Sequence, residues 1–187
     1  MSPLNNQNAA VIKAMRRLRR NRKGSAAIEF ALVAPVFFAM LFAIMETAMT
    51  FLAGQVLENG LQSSARLMFT HQAADTNMTQ KAFTDDLCSR VSMLFDCSQL
   101  RVNVSISNEG APITLMSPIQ NGKFVDNFNY QNPQANTGLN QTVVVSAFYQ
   151  WPLIVTQLGF NLANIDRGTA NGKYLLASTA AFRVEPN

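Results

Sequence analysis

The feature that most constrains this chain is an apolar run placed just behind a block of positive charge. "RRLRRNRK", residues 16–23, holds six basic residues, and Phe30–Met45 is an unbroken series of 16 apolar residues. A helix of about 20 residues spans the hydrocarbon core of a bilayer. A core helix seldom follows a cationic block directly, and no A-x-A-like site closes the run as in a signal peptide. The sequence therefore predicts a transmembrane helix over residues 25–53.

The distribution of charge predicts how this helix is oriented. Seven of the 15 Lys and Arg residues lie at positions 13–23 with no acid among them, so the net charge of +4 is a property of the N-terminus. Under the positive-inside rule, residues 1–24 form a basic cytoplasmic leader and residues 54–187 an extracytoplasmic domain. Because the rest of the chain has no basic surplus, nucleic acid is not an expected partner.

Hydrophobic periodicity predicts an α+β fold for the part outside the membrane. A stripe at helical spacing continues the first helix as far as Met68, and a second helix begins at the capping residue Thr79 and runs to about Phe95. Alternating apolar residues then predict three strands, at positions 100–107, 142–151 and 174–185. We expect a small pilin-like domain with an antiparallel sheet of three or four strands packed on the long helix.

Two segments of the outer domain allow more than one interpretation. Residues 107–142 are rich in Asn, Gln, Gly and Pro and are too long for an ordinary turn, which favours a mobile loop over a binding surface. "WPLIVTQLGF", residues 151–160, is apolar. It either packs in the core or lies against the outer leaflet or a neighbouring subunit.

The residues that could carry chemistry are few. Cys88 and Cys97 are too far apart for a CxxC redox or zinc motif, but they suit a short disulfide loop in an oxidising compartment. His71 is the one histidine of the chain, so a metal site or a Cys–His or Ser–His pair is not indicated. We therefore expect no enzyme activity, no cofactor and no metal.

Glu29 is unusual because it places a carboxylate at the start of the membrane segment. It can snorkel toward the cytoplasmic headgroups or pair with the preceding basic residues. Alternatively, a cut between Gly24 and Ser25 would create an α-amino group one helical turn before Glu29, on the same face. The carboxylate would then neutralise this amine. Pro35 removes one backbone hydrogen bond further along, and a kink there is tolerated with or without a function.

The same residues carry a family resemblance. "KGSAAIEF", residues 23–30, resembles the type IV prepilin processing site, and residues 24–51 resemble the TadE-like family of tight-adherence (Flp) pilus proteins. The family pattern joins the glycine, an EFALV-P core ending at Pro35 and a second acid one membrane width later, here Glu46. Phe30 replaces the tyrosine of major Flp prepilins. The likeness continues in "QVLENGLQSSARLMF" and in the closing "ASTAAFRVEP".

The resemblance implies a minor pilin or pseudopilin that a prepilin peptidase cuts between Gly24 and Ser25. Glu29, Phe30, Pro35 and Glu46 would serve recognition and assembly. Besides the peptidase, the implied partners of the chain are other pilins or pseudopilins, the inner-membrane pilus platform and the lipid bilayer. The protein would sit in the bacterial inner membrane with its C-terminal domain in the periplasm; entry into the fibre is left open. The alternative is an unprocessed single-pass anchor that presents an adhesive or binding domain.

Overall fold

The protein is an α+β chain, as predicted, with two helices and five strands in the part that the structure describes. This computed structural model describes residues 24–69, 78–108, 111–113, 115–132, 141–155 and 161–184. The elements are α1 (Ser25–Phe69), α2 (Gln80–Val91), β1 (Arg101–Asn108), β2 (Ile119–Gln120), β3 (Lys123–Phe124), β4 (Gln141–Pro152) and β5 (Lys173–Val184). The chain divides into two compact units, residues 1–42 and 43–187.

In the first unit, α1 presents apolar side chains outward. Among the described side chains between Gly24 and Phe42 none is buried, and Leu32 is 72% exposed. Phe38 contacts two other rings of the same helix, those of Phe37 and Phe42, at centroid distances of 5.6 and 6.4 Å. Such a surface needs a covering that this part of the chain does not supply itself.

In the second unit, one face of α1 is part of the hydrophobic core. The predicted stripe is confirmed: Leu57 and Leu61 are completely buried, and Ala65 and Met68 nearly so. Gly60 lies between them because α2 approaches closely there; a Cβ at Gly60 would lie 2.5 Å from Val91 Cγ1.

Helix α2 begins at its predicted cap and ends earlier than expected. The Thr79 side chain accepts a hydrogen bond from the Ala82 backbone N–H at 3.2 Å. The helix stops at Val91, and Phe95 instead packs edge-on against the ring of Tyr149, with centroids 4.8 Å apart. A short 3₁₀ helix, Cys97–Gln99, then leads into the sheet.

The three long strands form one antiparallel sheet in the order β1-β4-β5. Alternate residues of the central strand β4 join the core with α1 and α2; these are Val143, Val145, Ala147 and Tyr149. Its opposite face is also buried, at Val144, Ser146 and Phe148. The sequence predicted a half-buried strand here, and the difference arises because a second layer covers that face.

Part of this second layer comes from the segment that the sequence assigned to a mobile loop. Residues 119–124 form the β2–β3 hairpin, with positive φ angles at Asn121 and Gly122. Further along, Phe128 stacks on Phe148 with centroids 5.0 Å apart, and the Val104 N–H donates to the Asn129 carbonyl at 2.8 Å. Residues 115–132 therefore do not fit the mobile-loop interpretation.

Candidate processing site and assembly helix

Gly24 and Ser25 lie at the start of α1. Gly24 directly precedes the helix, which begins at Ser25. A Cβ placed on Gly24 would meet nothing within 4 Å, and the backbone there does not adopt a positive φ. Neither packing nor backbone conformation of the described residues thus requires glycine at this position.

The other predicted residues of the first unit lie on the exposed surface of the same helix. Glu29 is exposed one turn after Ser25, and Phe30 beside it is 69% exposed. Pro35 is inside the helix and also exposed. Since proline lacks an N–H, the helix lacks one ladder hydrogen bond at that point. Among the described residues, Glu29, Phe30 and Pro35 are thus exposed and Gly24 is half-buried.

Glu46 differs from these residues because it contacts a distant part of its own domain. Its carboxylate accepts hydrogen bonds from the backbone N–H groups of Ile154 and Val155; the Val155 nitrogen lies 3.1 Å from Oε1 and 3.3 Å from Oε2. Val155 is buried, as core packing of residues 151–160 predicts, whereas Ile154 is exposed. No sequence pattern predicted the contact with Glu46, which spans more than 100 positions.

The polar side chains of α1 around Glu46 also form hydrogen bonds within the chain. The Thr47 hydroxyl donates to the Ala43 carbonyl and the Thr50 hydroxyl to the Glu46 carbonyl, each at 2.8 Å. Such hydroxyl-to-backbone bonds let a helix carry threonine in apolar surroundings. Residues 43–53 contain three polar side chains, Glu46, Thr47 and Thr50, and the structure gives each an internal partner.

The exposed surface of α1 changes character between Leu52 and Gln55. From Ile44 to Leu52 every exposed side chain is apolar. From Gln55 onward the exposed residues are polar: Gln55, Glu58, Asn59, Gln62, Ser63 and Arg66. Within the described residues, α1 is the helix long and apolar enough to cross a membrane.

A cleft lies between α1 and the edge strand β5. It has a volume of about 430 Å³, and its walls come from residues 47–58 of α1, Leu162, and residues 174–177. Glu58 is its one charged side chain and accepts a hydrogen bond from Gln62 at 3.2 Å. Neither a histidine nor a cysteine is among the described residues that line this cleft.

Cys88 and Cys97 form a disulfide that ties α2 to the 3₁₀ helix, with Cα atoms 5.6 Å apart. Asp96 supports the same turn, since its carboxylate accepts from the Ser98 hydroxyl at 2.8 Å and the Ser98 N–H at 3.0 Å. These hydrogen bonds hold the pKa of Asp96 below its usual value. In the described part of the chain no group of His, Cys, Asp and Glu side chains could hold a metal ion. His71 lies outside the described residues.

The comparisons with known proteins agree with the geometry of α1. The family model described as TadE-like protein matches residues 24–66, which begin at Gly24 and include both Glu29 and Glu46. No curated protein matches the chain, and neither does any solved structure. The match covers 43 of the 187 residues. The resemblance to the TadE-like family is therefore confirmed, and residues 24–66 are its TadE-like segment.

Proposed function

We propose that this protein is a minor pilin or pseudopilin that serves the assembly of a tight-adherence pilus. A prepilin peptidase cuts it between Gly24 and Ser25, and α1 then associates with the helices of other pilins or of the inner-membrane platform. The observation that carries the proposal is the TadE-like match over residues 24–66, which starts at the expected cleavage site.

The position of Gly24 supports cleavage at this site. A glycine that neither packing nor a left-handed backbone demands is best explained by recognition in an extended substrate complex, where a side chain would obstruct the enzyme. Cleavage would also remove every basic residue that precedes α1, and with them the charges that hold the N-terminus at the cytoplasmic surface.

The exposed apolar surface of residues 26–42 supports association through the helix. Leaving it in water would be unfavourable by about 25 cal/mol for each Å² of apolar area. A bilayer covers it before assembly and neighbouring helices cover it afterwards. Glu29 then lies one turn from the new α-amino group of Ser25, so the pair enters the apolar surroundings without net charge.

From the same charges we infer that the protein lies in the bacterial inner membrane. The basic leader stays in the cytoplasm and residues 54–187 lie in the periplasm, where a Cys88–Cys97 disulfide is stable. Residence in the membrane platform and incorporation in the fibre both fit this orientation. Sheared pili and membrane fractions, probed for the protein, separate the two.

The proposal is tested by Gly24→Ala and Glu29→Gln in cells that contain the pilus machinery. We expect Gly24→Ala to leave the protein uncleaved, as read by N-terminal sequencing, and Glu29→Gln to be cleaved but to assemble poorly. Gly54→Ala is the matched control, because its new Cβ would make only an ordinary contact, 3.9 Å from Leu176 Cδ2. Glu58→Gln is the control for the second substitution.

The competing interpretation is an unprocessed anchor that presents a binding domain. It predicts an intact Met1 in wild-type cells and unchanged pili in both variants. Either result would contradict the processed-pilin proposal. An N-terminal Ser25 in the wild-type protein would by itself contradict the unprocessed-anchor interpretation.

A further inference from the structure

We propose that the turn at residues 152–155 rests on the outer leaflet of the membrane, held there by Glu46. The turn and the exposed apolar residues 44–52 of α1 would face the lipid together. The inference rests on the proposed membrane span of α1, but not on cleavage or pilus assembly.

The turn meets α1 within the part of the helix whose exposed surface is apolar. Glu46 directly follows the last residue of the apolar run, Met45, and its carboxylate binds the Ile154 and Val155 N–H groups. Gln55, the first exposed polar residue further along, lies nine positions later. At about 1.5 Å per residue the turn thus lies about 13 Å inside the apolar-surfaced part of the helix.

The turn itself is suited to contact with lipid. Ile154 is an aliphatic side chain that is 89% exposed, and Pro152 beside it is exposed and has no N–H. Irregular backbone is costly near lipid because its polar groups lose their water partners. Here Glu46 satisfies two of the N–H groups, and in turn those groups stabilise a carboxylate in apolar surroundings.

The width of the exposed apolar surface on α1 favours lipid over a second protein as its covering. The exposed apolar side chains of α1 at this level are Ile44, Met45, Met49, Phe51 and Leu52. At 3.6 residues per turn, the exposed residues among positions 44–52 are spread over an arc of about 160° around the helix axis. A partner helix covers a narrower stripe, whereas a fluid bilayer covers the whole convex surface.

The test places an environment-sensitive NBD fluorophore on Ile154→Cys in the otherwise intact full-length protein, labelled without reductant so that the disulfide persists. The protein is reconstituted in phosphatidylcholine–phosphatidylglycerol vesicles that carry a nitroxide near the top of the acyl chain. Met93→Cys is the matched control, because Met93 is 86% exposed and lies two residues after Val91, the partner of Gly60. Gly60 is 14 residues beyond Glu46, about 21 Å along the helix.

We expect the nitroxide to quench the label at position 154 and to leave the label at position 93 unchanged. Adding Glu46→Ala should weaken quenching at position 154, and adding Glu58→Ala should not. Equal quenching at positions 154 and 93 would overturn the inference. It would also be overturned if the label at position 154 were shielded from water but not quenched, and if its fluorescence changed with protein concentration. That last result would identify a second subunit as the occupant.

A third label, at Phe37→Cys, separates this inference from the proposed function. Quenching at position 37 by a deeper nitroxide without quenching at position 154 would leave the membrane span intact and overturn only the outer-leaflet contact. Absence of quenching at both positions would overturn the span and the contact together.

Discussion

The two parts of α1 on either side of residue 42 place family-matched residues in different surroundings. In residues 24–42 the described side chains are exposed or half-buried. In residues 43–69 one face is buried and the small and apolar residues fit their neighbours closely. The family-matched residues are therefore surface residues in the first part, whereas in the second part some of them pack inside the domain.

Two glycines and two glutamates show the contrast most clearly. Among the described residues no atom lies within 4 Å of a Cβ placed on Gly24, whereas Gly60 lies where α2 leaves no room for a Cβ. Glu29 lies on the exposed helix surface, whereas Glu46 fixes a turn of its own domain. A pattern of spaced glycines and acids does not itself distinguish these surroundings.

The largest effect on stability is expected from truncating the buried stripe. Leu61→Ala should destabilise the outer domain by about 2–5 kcal/mol, because it removes a buried side chain and leaves a cavity. Leu32→Ala, on the exposed surface, should change stability by less than about 0.5 kcal/mol. Urea unfolding in mild detergent, followed by the fluorescence of Trp151, measures both. Similar losses would break the comparison.

Removal of the disulfide is expected to have the next largest effect. The bridge closes a loop with a sequence separation of 9, so the double substitution Cys88→Ala and Cys97→Ala should cost about 2.5 kcal/mol in the same urea experiment. Cleavage after Gly24 should be unaffected, since α2 lies in the second unit. An unchanged urea midpoint would contradict a stabilising role for the bridge.

The glycines give a test in which stability and processing separate. Gly60→Ala should destabilise by about 1–2 kcal/mol, because the overlap with Val91 outweighs the helix propensity gained. It should still be cleaved. Gly24→Ala should leave stability unchanged and block cleavage. Gly54→Ala should do neither, and a folding defect in Gly24→Ala would mean that its glycine serves the fold.

Two acids of α1, Glu46 and Glu58, sharpen the comparison further. Glu46→Ala should cost about 1–2 kcal/mol, because it leaves two N–H groups without their charged acceptor. Hydrogen exchange should accelerate at the amides of Ile154 and Val155. Glu58→Ala should leave both amides protected, and acceleration in that variant too would indicate general loosening rather than loss of a specific contact.

The smallest expected effect is on the stability at low pH, through the ion pair of Asp86 and Arg90. Burial raises the pKa of Asp86, but the hydrogen bonds and charge of Arg90 outweigh it, so the pKa lies below the usual value. The stabilisation is therefore present above about pH 4 and is lost as the pH falls through the lowered pKa. Arg90→Met should remove about 0.3–0.5 kcal/mol at neutral pH and make the acid-induced loss shallower. Lys81→Met, whose partner Asp85 is more exposed, should change the stability at neutral pH less.

Patterns of local periodicity predicted most of the fold. The stripe on α1, the capped start of α2 and the three long strands all follow from repeats of two or three to four residues. What the periodicity could not supply was the layer over β4, because Phe128, which stacks on Phe148, is an isolated aromatic in a polar segment. Asn121-Gly122 was a usable hairpin signal there, and its turn is present.

The candidate site was predictable only where the sequence motif is continuous. Gly24, Ser25, Glu29, Phe30 and Pro35 are contiguous enough to resemble a processing site, and the family match covers them. The partner of Glu46 was not predictable, because Ile154 and Val155 contribute backbone N–H groups, which every residue but proline has. A contact made by the backbone over such a separation leaves no mark on residue choice.

The account depends most directly on whether the chain is cut before α1. Intact mass spectrometry of the protein purified from membranes, with and without a functional prepilin peptidase, measures this. We predict a chain that lacks residues 1–24 when the peptidase is present and the uncut chain when it is absent. A chain that retains residues 1–24 in peptidase-competent cells would contradict it.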